Sequence, residues 1–215
     1  NARAVAAIKE GKFKEQIVPL EVPKFGGGTY TFDTDEGPRP GTSMEGLAKL
    51  RPAFAASPKL GVATAGNSSQ TSCGAAATIV CSKKAVDELG LKPMARLRGY
   101  SVGAGDPGYL GPAQIPAIDD ALQQAGIKID DIGLIELNEA FASQTLYVVK
   151  HYKLDPEITN VNGGAIALGH PLGCTGTKLA TQLIYEMKYR GVKWGLVTMC
   201  IGGGMGAAAV FELCE

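Results

Sequence analysis

The sequence is poor in the residues that announce metal or disulfide chemistry. It has two histidines, His151 and His170, and five widely spaced cysteines with no Cys-x-x-Cys pair. A zinc cluster and a disulfide framework are both disfavoured by that spacing, and a reducing compartment is expected. Net charge is also lacking, because 21 basic residues balance 21 acidic ones. A nucleic-acid or membrane-surface binder usually carries a basic excess, so neither partner is expected. No apolar run reaches the length of a membrane span, and Asn1 to Lys9 has no signal-peptide pattern. That opening instead resembles the middle of an amphipathic helix, an unusual way for a natural chain to begin.

What is abundant is glycine, at 29 of 215 residues, against a normal apolar content of 45%. Small residues with ample apolar content predict tight turns and closely packed elements rather than disorder. The spacing predicts a helix over 1–10 that stops at Gly11, a strand over Val18–Val22, and an irregular stretch from Lys24 to Gly41. A short helix follows over Ser43–Leu50, capped by Thr42 or Ser43. Residues 61–65 and 74–81 read as two strands joined by a polar loop. From Met94 strands and helices alternate. Strands are expected at Met94–Val102, Ile132–Leu137, Gly195–Cys200 and Ala207–Leu213. Helices are marked by Ile115, Ile118, Leu122 and Ala125, by Phe141, Leu146 and Val149, and by Leu179, Leu183 and Met187. The fold class expected is α/β, in layers of helix, sheet and helix. The Gly-Ala-Ala-Ala at Gly74 recurs at Gly206, as in two repeated halves of which only the second is complete.

Three clusters could carry chemistry: Asn138-Glu139-Ala140-Phe141, Gly169-His170-Pro171-Leu172-Gly173-Cys174-Thr175-Gly176, and Cys200-Ile201-Gly202-Gly203-Gly204-Met205-Gly206. Each lies beyond a strand or at a helix start, where α/β folds place their sites. Each also has an ordinary reading, respectively a helix N-cap, a satisfied turn histidine and a buried small thiol. Together, a rigidly held neutral imidazole and a thiol before a glycine run suit thiol and acyl chemistry. Gly103-Ala-Gly-Asp-Pro-Gly108 fits a dinucleotide-binding pattern and keeps a nucleotide-dependent oxidoreductase open as an alternative. Pro107 and the glycines after it argue against the helix start that phosphate would need.

In order and spacing the three clusters resemble the C-terminal signature motifs of thiolases. Glu36-Gly-Pro-Arg-Pro40, Leu47-Ala-Lys-Leu-Arg-Pro-Ala-Phe54 and Thr64-Ala-Gly-Asn-Ser-Ser69 are similar to further segments of that family. The resemblance covers essentially the whole chain. It implies a thiolase-like layered α/β/α fold, this chain being the second half of a duplicated fold. A lid segment would occupy 1–58, a terminal hairpin and helix of the otherwise missing first domain 59–91, and the C-terminal domain 92–215. The hairpin is expected to leave apolar sheet surface uncovered.

The implied activity is acyl transfer between acetyl-CoA or 3-ketoacyl-CoA and coenzyme A, by cleavage or Claisen condensation. His170 would take the proton of the nucleophilic cysteine, and Cys200 would act as acid and base at the α-carbon. Asn138 would hold a water that, with His170, polarises the thioester oxygen. The Gly202 N–H would supply half of a second oxyanion hole. For coenzyme A, a substrate rather than a permanently bound cofactor, Arg39 would meet the nucleotide phosphate. Ala65 and Ser69 would line the pantetheine arm, and Phe141 would border the acyl end. The family's nucleophilic cysteine lies in a glycine-rich N-terminal segment that has no counterpart among these residues, so the isolated chain is expected to be inactive.

Two further departures are Cys73, where relatives usually carry an acid, and Gly111-Pro-Ala-Gln114, where they often show Met-Gly-x-Gly-Pro. Implied partners are an N-terminal thiolase half or complementary chain, and further copies in a dimer or tetramer. The implied location is the cytoplasm, or a mitochondrion or peroxisome in a eukaryote. A non-catalytic coenzyme A-binding or assembly subunit, docking on a complete thiolase, is the competing reading.

Overall fold

The computed structural model describes residues 1–54 and 61–214. Its elements in chain order are α1 (Ala2–Lys9), β1 (Leu20–Pro23), β2 (Thr29–Phe32), α2 (Met44–Ala48), α3 (Lys83–Leu89), β3 (Ala95–Ala104), α4 (Gln114–Ala125), β4 (Leu134–Leu137), α5 (Ala142–Tyr152), α6 (Ala165–Leu168), α7 (Thr175–Arg190), β5 (Trp194–Gly202) and β6 (Met205–Leu213). The main sheet runs β3-β6-β5-β4; β3 and β5 flank β6 antiparallel, and β4 lies parallel to β5.

The strands alternate between two cores, as a sheet covered on both faces requires. Ile135 and Leu137 of β4, Leu196 of β5 and Ala208 and Val210 of β6 pack with α4 and α5. Leu134 and Val197 point the other way, onto Leu179, Leu183 and Met187 of α7, which recur every fourth residue along one helix face. The layered α/β/α expectation therefore holds.

The contact of α4 with the sheet explains three of the glycines. A β-carbon on Gly206 would lie 2.7 Å from the carbonyl oxygen of Ala113, and one on Gly103 would lie 2.7 Å from the backbone nitrogen of Ala117. One on Gly99 would overlap the carbonyl oxygen of Ala121. Ala113, Ala117 and Ala121, four residues apart, thus rest directly on the glycines of β3 and β6. The helix lies backbone against backbone there. Gly99→Ala should push α4 off the sheet and cost about 1–3 kcal/mol of unfolding free energy in a denaturant titration; an unchanged midpoint would show that the helix adjusts without strain.

The N-terminal segment docks on the loops before α7. Ala4, Ala7 and Phe13 bury against Ala167 and Leu168 of α6, and Arg3 donates to the carbonyl of Thr159 at 2.8 Å. Ser43 caps α2 by accepting from the Gly46 N–H at 3.1 Å. The strand expected at Val18–Val22 begins later, at Leu20, and ends on Pro23 at the edge of a two-stranded ribbon, a place that tolerates a missing donor.

The hairpin expected over 61–81 is not formed. No residue of that range belongs to a strand, and its one ladder contact is an isolated bridge between Ser68 and Phe141. Strands exist only where neighbours take up their N–H and C=O groups, and no described segment forms a ladder with 74–81. Ile79 and Val80 are about nine-tenths exposed. Only the helix expected in the 59–91 region is present, as α3.

Candidate active site

The carboxyl ends of β4 and β5 are adjacent, because the Asn138 N–H donates to the Thr198 carbonyl at 2.9 Å. Asn138 is not the N-cap of α5; that position belongs to Phe141. Residues 138–141 stay extended because the 67–69 loop pairs with them: the Ser69 N–H donates to the Ala140 carbonyl at 3.0 Å and the Ala142 N–H to the Asn67 carbonyl at 2.8 Å. The helix marked by Phe141, Leu146 and Val149 therefore starts at Ala142. Released from capping, Asn138 is 1% exposed, and neither atom of its side-chain amide has a protein partner. Buried amide atoms without partners are uncommon and mark a place for a ligand or water.

Cys200 lies at the end of β5, buried, and burial pushes its thiol above the ordinary value. It holds its proton at neutral pH. The ladder is irregular between Cys200 and Gly202, and Gly202, Gly203 and Gly204 all take positive φ (117°, 60° and 76°), which is why three glycines stand there. The hairpin so formed is seated on the 103–108 stretch, whose Gly105 N–H donates to the Gly204 carbonyl at 2.8 Å. That stretch thus packs against the turn and opens no helix; α4 starts only at Gln114.

His170 is half-buried in the turn before α7. Its N–H donates to Ser72 Oγ at 3.2 Å, and its Nδ1 is 2.6 Å from Thr175 Oγ1. Burial, helped by the Lys178 ammonium, lowers its affinity for a proton, so it is neutral at pH 7. The first turn of α7 also touches β5: a β-carbon on Gly176 would lie 2.9 Å from Met199 Cε, one residue before Cys200. The helix that the His170 turn leads into therefore packs on β5 one residue before Cys200, and Asn138 lies at the adjoining end of β4.

A groove of about 290 Å³ lies between α2 and the Ile166 segment that precedes the His170 turn. Arg39 and Ala65 line it together with Asn1, Leu47, Gln70 and Ile166. Among the described residues the Arg39 guanidinium makes no hydrogen bond or ion pair; only its backbone N–H is engaged, by Asn1 Oδ1 at 2.9 Å. Ser69 and Phe141 do not line the groove; they lie in the pairing of the two loops, where Ser68 bridges to Phe141 and the Ser69 N–H donates to the Ala140 carbonyl.

Several contributors escaped sequence reasoning. Glu139 accepts from Asn160 Nδ2 at 3.1 Å and from the Ile166 N–H at 3.2 Å, fixing the loop before His170. Gln70 reaches between Gly37 and Gly169, joining the groove wall to the histidine turn. Glu136, which stands in the run Leu-Ile-Glu-Leu, is 2% exposed, and its Oε2 has no partner. Among the described residues no group of three or more His, Cys, Asp or Glu side chains could hold a metal, and no helix is long and apolar enough to cross a membrane.

This geometry can be set beside known proteins. The family model described as thiolase, C-terminal domain, matches residues 91–213, and that of the thiolase N-terminal domain matches residues 1–84. The chain belongs to the thiolase family. It is 53% identical to a 3-ketoacyl-CoA thiolase of Bacillus subtilis over 219 residues, covering 98% of this chain and 55% of the relative. With an acetyl-CoA acetyltransferase of Thiocystis violacea it shares 47% over 210 residues, covering 98% and 52%. The crystal structure of the Bacillus anthracis acetyl-CoA acetyltransferase matches with a TM-score of 0.93 at 42% identity, over 99% of this chain and 53% of that one. Human mitochondrial 3-ketoacyl-CoA thiolase in complex with CoA matches with a TM-score of 0.88 at 40% identity, over 99% and 52%. The fold is accordingly the thiolase fold. The chain spans about half the length of the relatives it matches.

Proposed function

We propose that this chain supplies the proton-transfer groups and the coenzyme A groove of an acyl-CoA acyltransferase of the thiolase type. In this reading the nucleophilic thiol comes from a segment outside these 215 residues. The observation that supports the proposal is the adjacency of the ends of β4 and β5, where an unpartnered buried amide and a protonated buried thiol sit, with α7, which follows the turn of the neutral His170, packed on β5 beside the thiol.

Each group has a task that its environment favours. His170, neutral, accepts the proton of the attacking thiol and so raises the thiolate fraction. Cys200, protonated, delivers its proton to the α-carbon as the carbon–carbon bond breaks and is left as thiolate; in the direction of bond formation that thiolate takes the α-proton back. The amide of Asn138 holds a water against the thioester oxygen. The N–H of Gly202 stands where a developing oxyanion can be received, with no β-carbon in the way. Arg39 takes a phosphate of the coenzyme A nucleotide, a role suited to its planar fork of donors. Ala65 and Ser69 accompany the pantetheine arm, and Phe141 borders the acyl group.

The partner is an N-terminal thiolase half, on the same polypeptide or a separate one, and the assembly is a dimer or tetramer. The uncovered 74–81 segment supports a docking element there, since its apolar residues face solvent.

The test is reconstitution with a thiolase N-terminal half that carries the nucleophilic cysteine, followed by thiolysis of acetoacetyl-CoA. The chain alone should show no turnover and the pair should show it. A pair that forms a complex but stays inactive, with coenzyme A still bound, would favour the competing assembly-subunit role and overturn the catalytic one.

A further inference from the structure

The turn at His170 contains a hydrogen-bond arrangement that constrains the imidazole beyond its charge. Thr175 Oγ1 lies 2.6 Å from His170 Nδ1 and 3.0 Å from the carbonyl oxygen of Pro171. A hydroxyl has one proton, and the Pro171 carbonyl has none to give. If that proton went to Nδ1, two oxygens would face each other at 3.0 Å with nothing between them. If it goes to the carbonyl, a threonine bond to the residue four back that is common in helices, the lone pairs of Oγ1 are left to accept. Nδ1 must then carry a proton. Only this assignment puts a hydrogen on both contacts.

We propose that Thr175 is a positioning residue that holds His170 as its Nδ1–H tautomer, leaving Nε2 as the unprotonated nitrogen on the ring edge away from α7. Free neutral histidine prefers the opposite tautomer, so the protein selects the form through the partner of the other nitrogen. Thr175 is also the first residue of α7, whose positive terminus disfavours an imidazolium beside it. The backbone supports the arrangement from the other side, where the Ser72 hydroxyl accepts the His170 N–H.

The consequence for catalysis rests on the base role proposed above; the tautomer itself does not. With Nε2 unprotonated, the S–H bond of an attacking thiol can break and an Nε2–H bond form, giving thiolate and imidazolium. Thr175 need not turn, because its acceptor and donor contacts are the same before and after transfer. In the other tautomer Nε2 already holds a hydrogen and cannot accept.

The chain has two histidines, so a long-range proton–nitrogen NMR spectrum of the ¹⁵N-labelled protein contains two imidazole patterns, and His151→Gln assigns them. At a pH where His170 is neutral, its Nδ1 should show the protonated type of shift and its Nε2 the bare type, in wild type and in Thr175→Ser. Thr175→Val, which keeps the shape and removes the hydroxyl, should move the tautomer ratio toward Nε2–H by about tenfold, the loss of one hydrogen bond of ordinary net strength. A wild-type His170 found as Nε2–H would overturn the assignment, as would a valine variant whose ratio stays within about twofold of wild type. Should the valine variant not fold, the wild-type and serine spectra still decide. Because the spectrum reads the tautomer without any turnover, its failure is distinct from failure of the reconstituted reaction.

Discussion

Glu136→Gln should leave stability almost unchanged at pH 4.5 and below and raise it progressively above that, by several kcal/mol in alkaline solution. Glu136 is wholly enclosed between β4 and α7, and burial drives its carboxyl pKa up to about 8. The Lys178 ammonium and the hydrogen bond from Gln182 Nε2, 3.1 Å from Oε1, pull it back down, while the nearby Glu139 and Glu186 push it further up. At pH 7 it is therefore a neutral acid. Its folded pKa lies above the unfolded value of 4.5, so between the two the native state binds the extra proton and stability falls as pH rises. The contribution is fully present below pH 4.5 and gone above about 8. That span corresponds to a loss on the order of 5 kcal/mol. Glutamine has the same shape and never ionises. Urea titrations at pH 5.5 and 9 should show the wild type losing several kcal/mol between them from this residue, and the variant losing that much less. Parallel losses in the two proteins would mean that the acid is charged, and paired, in the fold.

Glu136 also shows where sequence reasoning stops. Within Leu-Ile-Glu-Leu it interrupts an apolar strand without weakening the strand pattern, and nothing in the spacing says that Gln182 and Lys178 lie above it. The layered class, the strands from β3 to β6 and the helices between them were legible, because periodicities of two and of three to four report burial directly. The repeated Gly-Ala-Ala-Ala marks the limit of that signal. At Gly206 it opens β6, a central strand with β3 and β5 on either side; at Gly74 the same residues form no strand. Small residues fit a sheet interior but do not create one, since pairing partners supply most of the preference.

The site divides in the same way. His170, Cys200 and Asn138 stood out because turn glycines and prolines locate them at element ends. The bland reading of Asn138 as a cap fell only when the 67–69 loop was seen to hold 138–141 extended, a contact far apart in sequence. Arg39 and Ala65 share a groove for a reason no periodicity carries: α2 and the loops around it fold back over α6. Ser69 and Phe141 do not line that groove, and their proposed contacts, with the pantetheine arm and the acyl group respectively, depend on how a ligand extends past the loop pairing.

Replacing Cys200 with alanine should reduce turnover of the reconstituted enzyme by about 10²–10⁴-fold, the usual contribution of a positioned acid–base group. A thiol at the end of β5 is removed from water, which raises its pKa and keeps it protonated. In that state it is a poor nucleophile and a competent acid, which suits the proposed task of handing a proton to carbon rather than carrying the acyl group. Loss of the thiol should therefore slow the carbon–carbon step and spare transfer of an acetyl group from acetyl-CoA to the nucleophile. The variant should still show a burst of acyl-enzyme, measured by mass, while steady-state thiolysis collapses. Serine at this position should not restore the rate, because a hydroxyl releases its proton far less readily and returns it with difficulty in the opposite direction. A variant that loses the acyl-enzyme burst as well would place Cys200 in the first step instead, and one that keeps turnover within about threefold of wild type would remove it from the proton path altogether.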